Sequence, residues 1–142
     1  MTINYGARMK NGFQISVTLP ASPEEIYEGW LTSRIHTAFT GSKATASKKV
    51  GSKFTAWDGY ISGTNLQLEP NKKIVQLWRT TEFRDEAPDS CVTITLEKVK
   101  SGTKLTLKHT NIPDEQDPAY KEGWKEFYFI PMRAYFLKKI TR

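Results

Sequence analysis

The sequence predicts an α+β fold in which a curved antiparallel sheet of about six to seven strands wraps one long C-terminal helix, with two short helices after the first strand. Three observations predict it. Phe13, Ile15, Val17 and Leu19 alternate with polar residues in the period-2 pattern of a half-buried strand. From Lys43 to Asn111 strand-like runs are broken by turn chemistry without a helical period, and from Ala119 to Lys139 apolar residues return at helical spacing. A one-faced sheet must be covered, and that last segment is the only one long enough to cover it.

The elements follow in order. After the strand Phe13 to Leu19, Ser22 as N-cap, Pro23 at the first helical position and Glu25 three residues beyond the cap form a capping box. The helix it opens is expected from Pro23 to about Thr32. A second, Arg34 to Thr40, has Ile35 and Phe39 at i, i+4 and stops at Gly41. The meander turns at Val50-Gly51-Ser52, Asp58-Gly59, Glu69-Pro70-Asn71, the loop from Asp85 to Asp89, and Ser101-Gly102. Asp58-Gly59 reads as a tight two-residue hairpin, because such turns need positive φ at both central positions. On the last helix Tyr120, Trp124, Phe127, Pro131 and Ala134 form one face, widened by Tyr128, Met132, Tyr135 and Phe136. Pro131 removes a backbone hydrogen bond there, which predicts a kink in the turn from Phe127 to Pro131.

Composition narrows the function classes. The 142 residues, 38% hydrophobic, 12% aromatic and 25% charged, describe an ordered globular chain, read as one domain over 1–142 with its core at about 13–139. No run of roughly 18 apolar residues suggests a membrane span. Met1 to Asn11 lacks the apolar region of a signal peptide, so a cytoplasmic location is expected. The net charge of +6 is spread over scattered lysine pairs, and no nucleic-acid motif accompanies it. Cys91, the lone cysteine, lies in a strand-like run as a buried or half-buried apolar residue. His36 and His109 with one cysteine make no zinc set, so neither metal nor cofactor is expected.

Strand alternation places Phe54, Ile61, Ile74, Gln76, Trp78, Val92, Ile94, Leu105, Leu107 and His109 on the face under the helix, with Trp124, Phe127, Tyr128 and Pro131 opposite. Such a wall is apolar with a few polar handles, the usual make-up of a small-molecule pocket, and the alternative is solid packing. His109, ending the face of Leu105 and Leu107, reads as a hydrogen-bonded histidine at the rim. A set of Ser62, His109 and Asp58 lacks any Gly-x-Ser-x-Gly elbow, and Asp58 and Glu25 are explained by turn and cap. No catalytic residue is assigned, and the chain is read as a non-enzyme.

Several stretches together carry a family resemblance: Ser22 to Tyr27, Ala38-Phe39-Thr40, Gly51 to Phe54, Asp58 to Gly63, Leu68 to Val75, Trp78-Arg79, Thr93 to Leu96 and Gly123-Trp124. In this order and spacing they resemble the C-terminal domain of the activators of the heat shock protein 90 ATPase, within the START-like SRPBCC superfamily. The resemblance implies a helix-grip fold with a cavity between sheet and helix that in many relatives holds an apolar small molecule. It implies two functions: a non-catalytic domain binding an apolar or aromatic ligand, or a cochaperone-type module binding heat shock protein 90. Those cochaperones carry a separate N-terminal domain, which this chain is expected to lack. A monomer is expected.

Overall fold

The computed structural model describes residues 11–140. Most of the stretch read above for a leader, Met1 to Lys10, therefore lies outside the described residues. Strand β1 (Phe13–Leu19) leads into α1 (Pro23–Trp30) and α2 (Ser33–Thr40). The capping box is present: Ser22 Oγ accepts from the Glu25 backbone N–H at 3.1 Å, and the Ser22 N–H donates to Glu25 Oε1 at 3.0 Å. α1 ends at Trp30, short of the expected Thr32, and α2 stops at Gly41, whose φ of 80° is left-handed.

Five strands follow: β2 (Lys53–Ala56), β3 (Ile61–Glu69), β4 (Lys73–Thr80), β5 (Ser90–Val99) and β6 (Gly102–Thr110). All pairings are antiparallel in the order β1-β6-β5-β4-β3-β2, so the meander closes on β1 and the sheet has six strands. Residues 42–52 form no strand of their own, being joined to the sheet by the bridge Thr45–Thr55 and by backbone hydrogen bonds of Gly51 and Ser52 with Asn65. Side chains fasten this stretch as well. Asn65 Nδ2 donates to the carbonyls of Ser47 and Lys49, and Ser33 Oγ both donates to the Ala46 carbonyl and accepts from its N–H. Asn65 points inward by alternation with Ile61 and Gly63, and a bulge at Leu66 shifts the β3–β4 register only after it, so that Leu68 pairs with Ile74.

The hairpin between β2 and β3 departs from expectation. Ala56 pairs with Ile61, so the connection has four residues, and Trp57, Asp58 and Gly59 all carry positive φ (52°, 56° and 91°). The two-residue reading saw the glycine and aspartate but missed that Trp57 shares their left-handed backbone. Gly63, further along β3, is required by space: an added Cβ would lie 1.8 Å from the Leu77 carbonyl oxygen and 2.6 Å from the Phe54 ring.

The C-terminal helix packs on the sheet face that carries Trp78 and His109, as its contacts to both residues attest. It is built from α3 (Asp117–Trp124), a π-helical turn (Lys125–Phe129) and α4 (Ile130–Ile140). The irregularity expected near Pro131 is this turn. It ends where Pro131, in the opening turn of α4, has no N–H to contribute. The turn also corrects the predicted face. Tyr120, Trp124, Tyr128, Met132 and Phe136 face inward, each four residues from the last, whereas Phe127 is 52% exposed and Ala134 is exposed. Each four-residue step overshoots a 3.6-residue turn by about 40°. The extra residue of a π turn removes about 100° of that drift, so the inward face moves one residue along. Among the described residues no helix is long and apolar enough to cross a membrane.

Candidate functional site

Between sheet and helix the interior divides into a packed half and an open half. The packed half holds Phe54, Ile74, Gln76, Val92, Ile94, Leu105, Leu107 and His109, all buried. Ile74 pairs with Ile94, and Ile94 with Leu107, across three central strands, and none of the three is more than 1% exposed. Phe54, Ile74, Gln76, Ile94, Leu107, His109 and Pro131 were all placed in the wall of a cavity. None lines the open half, because the space over these strands is filled by Met132, Phe136 and the helices α1 and α2.

Polar side chains in the packed half are bonded to one another. The Trp124 Nε1–H donates to His109 Nδ1 at 3.0 Å, so the proton of this neutral ring sits on Nε2 and is donated to Ser90 Oγ at 2.9 Å. Ser90 in turn donates to the Trp78 carbonyl at 2.7 Å. His36 has the opposite tautomer: Nδ1–H donates to the Trp30 carbonyl (2.8 Å) and Nε2 accepts the Tyr128 hydroxyl proton (2.7 Å). Burial, which disfavours the charged ring, holds the pKa of His109 down to about 3 and that of His36 below its ordinary value. Burial also pushes the Tyr128 hydroxyl well above the usual tyrosine range. His109 is fully buried, which corrects its placement at the rim, though its hydrogen bonding was foreseen. With Nδ1 engaged and Nε2 protonated it cannot take a proton from Ser90, and it hydrogen-bonds to neither Ser62 nor Asp58. A third chain runs from the Trp30 Nε1–H to Gln76 Oε1 (3.3 Å) and from Gln76 Nε2 to Asn65 Oδ1 (2.9 Å).

The open half is a cleft of about 510 Å³ between the β2–β3 turn, the end of β4 and the first turns of the C-terminal helix. Trp78 and Trp124, each 3% exposed, form its floor with Ile61 and Tyr128. One side is closed by Trp57, whose ring meets Phe127 edge-on at 5.6 Å, and the other by Tyr120 and Gln116. Tyr60, Glu82 and Glu115 stand at the mouth, and Ala119 and Gly123 are the helix's small residues on the wall. Thr80 donates to the Tyr120 hydroxyl at 2.7 Å, which donates to Gln116 Oε1 at 2.6 Å. The Tyr60 hydroxyl donates to Glu82 Oε2. Burial first, then this bond, pushes its pKa up to about 12.

Of the predicted wall, Ile61, Trp78, Trp124, Phe127 and Tyr128 meet in the cleft. Trp57, Tyr60, Glu82, Glu115 and Gln116 were missed because they come from turns and loops where alternation has no meaning, and Ala119, Tyr120 and Gly123 of α3 were not placed in the wall either. The only signal was local: two aromatics flank Asp58-Gly59, and an aromatic beside a reversal has no core to enter. No three His, Cys, Asp or Glu side chains come together as metal ligands among the described residues.

Comparison with known proteins places this geometry. The chain is 32% identical over 119 residues to the human activator of 90 kDa heat shock protein ATPase homolog 1, covering 84% of this chain and 35% of that protein. It is 34% identical to a Dictyostelium discoideum activator of the same ATPase, covering 83% and 29%. The chain thus spans about a third of the length of the curated relatives it matches. A crystal structure of an HSP90 activator from Plasmodium falciparum superimposes with a TM-score of 0.78 at 28% identity, covering 87% of this chain and 94% of that one. The Aha1 dimer from Colwellia psychrerythraea, at 19% identity, shares the fold with a TM-score of 0.74, covering 88% and 95%. The family described as Activator of Hsp90 ATPase homolog 1-like protein matches residues 20–136, and with most of its length so matched the chain belongs to that family.

Proposed function

We propose that this chain is a non-catalytic START-like domain that binds an apolar or aromatic small molecule in the cleft beside the C-terminal helix, acting as a cytoplasmic monomer. The observation that carries the reading is Gly123. A glycine inside a helix costs about 1 kcal/mol relative to alanine, and here an added Cβ would meet nothing nearer than a Phe127 ring atom at 3.9 Å. Packing does not require the missing side chain, and its absence leaves room in an aromatic cleft of ligand-pocket size, about 510 Å³. The tied-up ring nitrogens of His109 and His36 support a role without acid–base chemistry.

NMR titration with aromatic hydrocarbons and fatty acids tests it. Saturable shifts of the Trp57, Trp78 and Trp124 indole signals are expected, and these are lost in Gly123→Leu, which fills the cleft. If a full panel moves none of the three indoles, the reading fails.

A second reading is favoured by family membership: a module that binds heat shock protein 90 and stimulates its ATPase, as the names of the relatives state for those proteins. The net charge of +6 suits an acidic partner face. Added in tenfold excess to the chaperone of its own cell, the chain should raise ATP turnover; an unchanged rate rejects this reading.

A further inference from the structure

We infer that the cleft selects a positively charged ligand, an aromatic or alkyl ammonium compound. This rests on the small-molecule reading above and deepens it. The chain has 21 lysines and arginines against 15 acidic residues, yet among the described residues that line the cleft there is no lysine or arginine, and there are two glutamates. The basic excess lies elsewhere, and this aromatic cleft is left to carboxylates and rings.

The rings themselves favour a cation. Seven of the thirteen lining residues are Trp, Tyr or Phe, and an aromatic face is electron-rich, attracting an ammonium group seated over it within about 6 Å. Trp78 and Trp124 lie on the floor, so a cation there is held away from water, where this attraction is strongest.

The two carboxylates stand at the mouth. Glu82 is held by the Tyr60 hydroxyl, which donates to one of its oxygens, and by its own N–H, which donates to Thr80 Oγ1 at 3.1 Å. Tyr60 brings no charge of its own to offset the Glu82 carboxylate. Glu115 joins it in the lining from the loop before α3, on a left-handed backbone with φ of 71° that costs a bulky residue energy. Neither glutamate takes part in an ion pair among the described residues, although four such pairs form elsewhere. The opening turn of α3 brings the positive end of a helix to the wall, and Asp117 stands in that turn.

Three probes of nearly equal size and shape decide the matter on the full chain: phenyltrimethylammonium, tert-butylbenzene and benzenesulfonate, titrated against the indole signals. Phenyltrimethylammonium should bind roughly five- to thirtyfold more tightly than tert-butylbenzene, with benzenesulfonate weakest. Raising the salt concentration should weaken the cation and leave the hydrocarbon unchanged. In Glu82→Gln/Glu115→Gln the cation's advantage should shrink at least threefold while tert-butylbenzene binds as before. Equal or tighter binding of tert-butylbenzene or benzenesulfonate overturns the charge selection but leaves the cleft a ligand site. Failure of all three probes to move an indole overturns both.

Discussion

His109 and His36 are neutral rings that carry their protons on opposite nitrogens, each tautomer fixed by an indole, a hydroxyl or a backbone carbonyl. Such pairing is demanding, because a buried partner left unmatched costs about 1–3 kcal/mol. Ser90→Ala strands the His109 Nε2–H and is expected to lower stability by about 1–3 kcal/mol in urea unfolding, with the cleft's ligand response retained because Ser90 does not line it. Gly63→Ala is expected to cost about 2–3 kcal/mol or more through overpacking, since its methyl would press on a strand carbonyl and on the Phe54 ring. At this scale the sequence was partly legible. Alternation put Leu105, Leu107 and His109 on one inward face, and all three are buried. It could not show that Trp124 and Ser90 would reach both nitrogens of His109, because those contacts join residues 15 and 19 positions away on other elements.

Among the elements, caps and strands were the most readable, since their signals are local. Ser22 and Glu25 announce α1 within four residues, and Ser22→Ala should cost about 1 kcal/mol of stability, measurable as a lowered midpoint in denaturant. The C-terminal helix was readable in extent but not in facing. The rule of 3, 4 spacing centred the face on Phe127, Pro131 and Ala134 and put Tyr128, Met132 and Phe136 only in its widening, while the π turn brings these last three to the centre. A sign was present in the sequence: five large apolar residues four apart are too regular for an unbroken α-helix. Deleting Phe127 removes the extra residue of the π turn, so the turn should close to α-helix while α4 keeps its facing, with Met132 and Phe136 still inward. The expected result in urea unfolding is a chain that still folds cooperatively with its packed half intact, and the point change Phe127→Ala at this exposed position should cost less than about 1 kcal/mol.

For the molecule as a whole, the buried histidines set the response to acid. Their folded pKa values lie below the unfolded value of about 6.5, so the unfolded chain binds protons first as pH falls. Stability is therefore expected to be flat from about pH 7 to 9, below the range where the buried tyrosines titrate, and to fall below about 6.5, by about 1.4 kcal/mol per pH unit for each histidine. For His109 the loss continues down to its folded value of about 3. Glu25, whose pKa is lowered mainly by its backbone hydrogen bond to Ser22, acts only below its ordinary value of 4.5, so the interval from 6.5 to 5 isolates the histidines. His109→Gln, measured at pH 7 and pH 5, should show a shallower slope than the native chain. The overall plan of one sheet gripping one helix could be read from the alternation and the long aromatic segment, but the division of its interior into packed and open halves could not. That division depends on which side chains α1, α2 and the rotated helix bring over the strands. One arrangement within it has an optical consequence. Trp30, Trp78 and Trp124 are linked through Trp124, with ring centres 6.1 and 5.6 Å apart, while Trp57 stands apart at the cleft beside Phe127. Light absorbed by any of the three clustered chromophores is shared among them before it is emitted, so their fluorescence is depolarised and reports the core as one body. Trp57 is left as a separate lamp at the entrance, the emitter that an incoming guest would dim first.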